Sequence, residues 1–82
     1  MDKIWYLYIL ECRDGTLYTG ITDDVQRRLA QHEAGKGAKY TRGRGPLKLV
    51  YQETCGSHSD ALKREHAVHG LSRKEKLVLI AK

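Results

Sequence analysis

The chain has 82 residues, a formal charge of +5, 40% hydrophobic residues and two cysteines, which leaves room for one small core and no second module. Cys12 and Cys55 are too few for a disulfide framework or a CxxC metal knuckle, and the apolar runs near the ends are too short to cross a bilayer. The start Met1-Asp2-Lys3-Ile4 lacks the three regions of a signal peptide, so the expectation is a cytoplasmic protein with both cysteines reduced.

Ile4 to Cys12 is dense in aromatic, β-branched and aliphatic residues on both alternating faces, the pattern of a central strand covered on both sides. Arg13-Asp14-Gly15 signals a turn, and strand character resumes from Thr16 to Thr22, giving a β-hairpin. A three-residue loop sets Tyr8 opposite Gly20 and gathers Tyr6, Tyr8, Tyr18 and Gly20 on one face; a two-residue loop separates the tyrosines. Asp23 or Asp24 can cap a helix from Val25 to about Ala34, with Gly35 as its stop. Its buried stripe runs through Val25 and Leu29, and Arg28 and His32 flank that stripe. The glycine-rich segment from Gly35 to Pro46 reads as a loop. Leu47 to Thr54 alternates Leu47, Leu49 and Tyr51 with Lys48, Val50 and Gln52, as a third strand does. Ser57 or Ser59 can start a second helix ending near His69 and Gly70. Ser72-Arg73-Lys74-Glu75 is a capping box for a final helix with Leu77, Ile80 and Ala81 on its apolar side. The element order is ββαβαα, with residues 1–82 as a single domain.

Charge distribution says more than net charge. No acidic residue lies between Ala34 and Gln52, while Lys36, Lys39, Arg42, Arg44 and Lys48 all do. Such a stretch is either a solvated basic loop or a surface for a phosphate-rich polyanion. On the second helix Glu65 shares a face with Ala61 and Val68. A carboxylate there is paired with a base, turned to an edge, or kept to hold a cation. Arg28 offers a planar fork for a phosphate or for Glu65 itself, and His32 one turn on can accept a proton near neutrality or serve as an ordinary boundary residue. Tyr8 and Tyr18 suit a strand by propensity alone, but both lie beside Gly20, where a missing side chain leaves room for an approach to the sheet.

Tyr6-Leu7-Tyr8-Ile9-Leu10, then Tyr18-Thr19-Gly20 and then Arg28, resembles the two-part signature and helix arginine of the GIY-YIG nucleases. Tyr8, Tyr18, Gly20 and Arg28 fall on motif positions, His32 falls where several members carry a histidine, and Glu65 matches the glutamate that holds the family's single metal ion. The likeness covers nearly the whole chain, and the segment from Gly35 to Gly43 is similar to that of short, stand-alone bacterial members.

The resemblance implies an α+β fold with a three-stranded antiparallel sheet flanked by helices. It implies a metal-dependent endonuclease that hydrolyses nucleic-acid phosphodiester bonds, with DNA as the expected substrate; the sequence itself offers no base-reading element such as a recognition helix, so selection by structure above sequence is expected. In that picture Glu65 carries one divalent ion, Mg²⁺ or Mn²⁺, which binds the scissile phosphate and stabilises the leaving oxygen. Arg28 stabilises developing charge, and Tyr18, Tyr8 or His32 takes a proton from the attacking water. A phenol with an ordinary pKa of about 10 is a poor base at neutral pH unless nearby cations, Arg27 and Arg28 among them, lower it. The expected nucleic-acid contacts are Gly20, Arg27, Lys36, Lys39, Tyr40, Arg42 and Arg44. The chain departs from the family in two respects: it has no asparagine near the metal position, and it carries His66 and His69, of which His69 lies one helical turn from Glu65. The alternative reading is a non-catalytic nucleic-acid-binding module that keeps the fold and basic surface.

Overall fold

The computed structural model describes residues 3–37 and 41–82, so Lys39 and Tyr40 lie outside the described residues. Its elements are β1 (Trp5–Glu11), β2 (Leu17–Thr22), α1 (Val25–Glu33), β3 (Lys48–Gly56), α2 (His58–His69) and α3 (Arg73–Ile80). The sheet is antiparallel with order β2-β1-β3. No helix among the described residues is long and apolar enough to cross a membrane.

The apolar content of β1 on both faces makes it the middle strand. Leu7, Ile9 and Leu10 have no exposed surface and Tyr8 keeps 2%; full burial of one such aliphatic side chain stabilises by about 1.5–3 kcal/mol. Tyr8 and Leu10 face a cluster completed by Val25, Leu29 and Leu47, on the side of α1. Leu7 and Ile9 face Val68, Leu71, Leu79 and Ile80, on the side of α2 and α3. The sheet is therefore covered on both sides, and β2 is an edge.

The hairpin closes with a three-residue loop. Cys12 N donates to Thr16 O at 2.9 Å, and Gly15 N donates to Cys12 O at 2.9 Å. Gly15 adopts a φ of +84° that a side chain would strain. This loop length sets Tyr8 opposite Gly20 and Leu10 opposite Tyr18, which gathers the tyrosines on the α1 side.

Two details of packing differ from the sequence pattern. β3 does not alternate through its length: Ile9 pairs with Tyr51 and Leu10 with Leu49, so Val50 is an extra residue in a bulge. Leu49 consequently joins the Tyr8 cluster while Val50 and Tyr51 join the other. In α3 it is Leu79 and Ile80 that pack inward, whereas Leu77 is 43% exposed and Ala81 is exposed. Leu77 and Leu79 lie about 200° apart around a helix, so docking through Leu79 turns Leu77 outward. α2 is capped by Ser57, and Arg64 ties it to β3 through hydrogen bonds of 2.9 and 3.1 Å to Glu53.

Candidate active site at the β2 edge

The first half of the site sits where the hairpin meets α1. Asp24 caps that helix by accepting from Arg27 N at 3.0 Å; Arg28 and His32, four residues apart, then project from the same side. His32, 2% exposed, lies between two hydroxyls: Nε2 is 2.8 Å from Tyr8 Oη and Nδ1 is 2.8 Å from Thr41 Oγ1. Arg28 donates to Gln31 Oε1 at 3.0 Å, and its charge acts on the Tyr8 hydroxyl. Tyr18 stands edge-on to His32 with ring centres 5.2 Å apart and is 6.3 Å from the Tyr8 ring.

Two glycines make this packing possible. A methyl group on Gly20 would fall 2.6 Å from Tyr8 Oη, so the space expected for a ligand above that glycine holds the Tyr8 ring instead. A methyl group on Gly37 would collide with His32 Nδ1 and stand 2.7 Å from Cγ. The phenol and the imidazole are thus each pressed against bare backbone.

Burial pushes the Tyr8 phenol up to about 12, with Tyr18 adding to the rise and Arg28 opposing it. Burial, and then the Arg28 charge, hold His32 below its ordinary 6.5. At neutral pH the pair is therefore a protonated phenol beside a neutral imidazole. In the tautomer with the proton on Nδ1, donated to Thr41, Nε2 is the acceptor for the Tyr8 O–H.

The same shift carries a stability prediction. Because the folded state resists protonating His32, the unfolded chain binds more protons as pH falls through about 6.5. The His32 contribution is complete above that value and declines below it, down to the lowered folded pKa. A melting temperature that falls between about pH 7 and 5 is expected in wild type, and His32→Gln should flatten that portion. The exposed Asp14 and Asp60 and the half-buried Asp23, all held below their ordinary 3.8, lose their partners only at more acid pH, so the two phases separate. An unchanged acid limb in the variant would refute the assignment.

The second half of the site lies around the β2 edge, where α2 presents Glu65. Glu65 is half-buried and lines a cleft of about 330 Å³ with Tyr18, Thr19, His69 and Lys76. It makes no hydrogen bond or ion pair among the described residues. The internal Arg28–Glu65 pair that the sequence allowed does not form. His69 Nε2 lies 3.3 Å from Thr19 O, and the buried Thr19 hydroxyl has no partner among the described residues. Tyr18 touches both halves: its ring meets His32, and the residue is among those lining the Glu65 cleft.

The basic residues expected to meet nucleic acid are more dispersed. Lys36 and Arg42 are exposed. Arg27 is engaged with Asp23 at 2.7 Å, and Arg44 with Asp14 at 2.6 Å. Sequence reasoning missed Thr41, Gly37, Thr19 and Lys76. Thr41 and Gly37 carry no spacing that links them to His32, whereas Lys76, four residues after Ser72 at the final helix cap, could have been found by asking what α3 brings to the Glu65 face.

The hairpin tyrosines and the α1 arginine lie on one side of the sheet, and Glu65 of α2 lines a cleft beside β2. The GIY-YIG catalytic domain model matches residues 4–77, and the chain belongs to that family. It is similar to UPF0213 proteins, among them one from Cupriavidus pinatubonensis (54% identical over 82 residues, covering 100% of this chain and 91% of the relative). Another, from Natronomonas pharaonis, is 55% identical over 76 residues, covering 93% of this chain and 89% of the relative. The solution structure of the UPF0213 protein BH0048 from Bacillus halodurans is similar with a TM-score of 0.62 and 51% identity, over 95% of this chain and 83% of that one. A solution structure of an E. faecalis protein matches with a TM-score of 0.63 and 40% identity, over 93% and 83%.

Proposed function

We propose that this chain is a metal-dependent endonuclease that hydrolyses phosphodiester bonds in nucleic acid, with DNA as substrate and selection by structure above sequence. The observation that carries the reading is the position of Tyr18, which joins a buried Tyr8–His32–Arg28 cluster to a cleft holding an unpaired carboxylate. That carboxylate, Glu65, has no neighbouring pair of His, Cys, Asp or Glu with which to form a metal cluster among the described residues. A single carboxylate in an open cleft, with His69 and Lys76 also in its lining, fits a hard ion that keeps most of its waters, Mg²⁺ or Mn²⁺ and not zinc. When bound at Glu65, such an ion supplies Lewis-acid stabilisation of the phosphate and the leaving oxygen.

The chain's own residues do the rest. Arg28 offers guanidinium donors to the charge that grows on the phosphate oxygens. A phenol near pKa 12 accepts no proton unaided at neutral pH, but a neutral His32 at 2.8 Å is an acceptor for the Tyr8 proton. Tyr8 and His32 thereby act as one base toward the attacking water, a contribution of roughly 10²- to 10⁴-fold.

The test is cleavage of labelled single-stranded, duplex and branched DNA with Mg²⁺ or Mn²⁺, comparing wild type with Glu65→Gln of confirmed fold. Cutting by wild type that is lost in Glu65→Gln and in chelator is the expected result. A wild type that binds every substrate and cuts none defeats the proposal and leaves a binding module.

A further inference from the structure

The Glu65 cleft does not end at Glu65. A second concavity of about 180 Å³, lined by Thr16, Leu17, Arg73 and Lys76, adjoins it, and the two share Leu17 and Lys76. Together they form a groove running beside the outer edge of β2 and floored by its residues. One wall is α2, with Glu65 and His69; the other is the first turn of α3, with Arg73 and Lys76. Of the charged groups lining this groove, Glu65 is the one acid against Arg73 and Lys76, with His69 beside them.

Three features mark it as a place for a ligand. Glu65 and Lys76 line the same cleft yet form no ion pair within 4 Å, and neither has another among the described residues. Opposite charges that face one small space without closing on each other leave room for something that bridges them. Thr19, which also lines the cleft, is 4% exposed, and its buried hydroxyl has no partner among the described residues. Arg73 is already oriented: its Nη1 donates to Gly15 O at 2.8 Å, which fixes the guanidinium over the hairpin turn and leaves its other donors open.

We infer that this groove is the track of the nucleic-acid backbone beyond the site of cleavage, with Lys76 on the phosphate next to the scissile one and Arg73 on the phosphate after it. The inference rests on the nuclease reading for the word scissile; the binding itself does not depend on it. The groove lies on the opposite side of β2 from α1, so it assigns affinity to α3, a helix to which the glycine-rich loop basic residues do not belong. Phosphate contact by a lysine and an arginine gives affinity without base reading, in keeping with selection by structure.

The experiment is equilibrium binding of a fluorescent DNA duplex across a salt series, without divalent metal so that nothing is cut. Lys76→Gln and Arg73→Gln are each expected to weaken binding roughly tenfold at low salt, and the double variant to reduce the log–log salt slope by roughly 0.9 per contact removed. Lys76→Arg should restore most of the affinity, which a mere loss of folding would not allow, and melting curves check Arg73→Gln for damage to the hairpin turn. Glu65→Gln should bind more tightly than wild type in the absence of metal, because a negative charge beside the backbone is removed. Unchanged affinity and slope in the double variant would overturn the track even if wild type cleaves DNA. Weakened binding in a protein that never cuts would instead keep the track and remove the nuclease reading.

Discussion

Arg28→Ala is expected to slow phosphodiester hydrolysis by about 10²- to 10³-fold, the usual cost of removing one preorganised donor from a developing oxyanion. The side chain is half-buried on α1 and steadied by Gln31 at 3.0 Å, so its position is constrained before substrate arrives. Its loss acts twice. The phosphate loses a charged fork, and the Tyr8–His32 pair loses the one cation that holds the Tyr8 phenol down and helps to depress His32. The sign of the second effect can be read independently of the first. Without Arg28 the His32 pKa moves back toward 6.5, so the acid limb of kcat/KM against pH should shift to higher pH in the variant. Arg28→Lys keeps the charge but not the planar fork and should recover only part of the rate. A variant whose rate and pH profile both match wild type would remove Arg28 from the site.

The parts of this molecule legible in the sequence are those decided by local chemistry. The turn residues Arg13-Asp14-Gly15 admitted a three-residue loop, and that loop length sets Tyr8 against Gly20. The spacing of Ala61, Glu65 and Val68 puts the glutamate on an inward-turned face, where it is half-buried between two fully buried residues. The likeness to GIY-YIG nucleases gave the family, through residues that are far apart in the chain. What was not legible depends on tertiary register. A bulge at Val50 moves Tyr51 to the other face of the sheet, and no single-strand periodicity contains that information. Thr41 reaches His32 across nine positions of loop, and Lys76 reaches Glu65 only because α2 and α3 fold over the same sheet edge. The sequence makes Gly20 a place of approach to the sheet, whereas its missing side chain makes room for the Tyr8 ring.

That last point yields the strongest structural prediction. A Cβ at residue 20 would stand 2.6 Å from Tyr8 Oη and 2.7 Å from Cζ, with Tyr18 Cε2 at 3.1 Å. Tyr8 cannot retreat freely, since its ring is buried in the α1-side cluster and its hydroxyl is committed to His32. Gly20→Ala is therefore expected to cost about 1–3 kcal/mol of stability, the range for overpacking a filled core, and to separate Tyr8 from His32. Cleavage should fall by up to the roughly 10²- to 10⁴-fold that general-base catalysis contributes. Tyr8→Phe supplies the internal check. It removes the hydroxyl that meets the new methyl group at the shorter distance, so part of the destabilisation should vanish in the double variant, with a coupling of about 0.5–3 kcal/mol in a double-mutant cycle. Additive losses would mean that the methyl group and the phenol do not compete for the same space. Coupled losses, together with a rate for Gly20→Ala no lower than that of Tyr8→Phe, would show that glycine serves at this position to seat one hydroxyl on one imidazole.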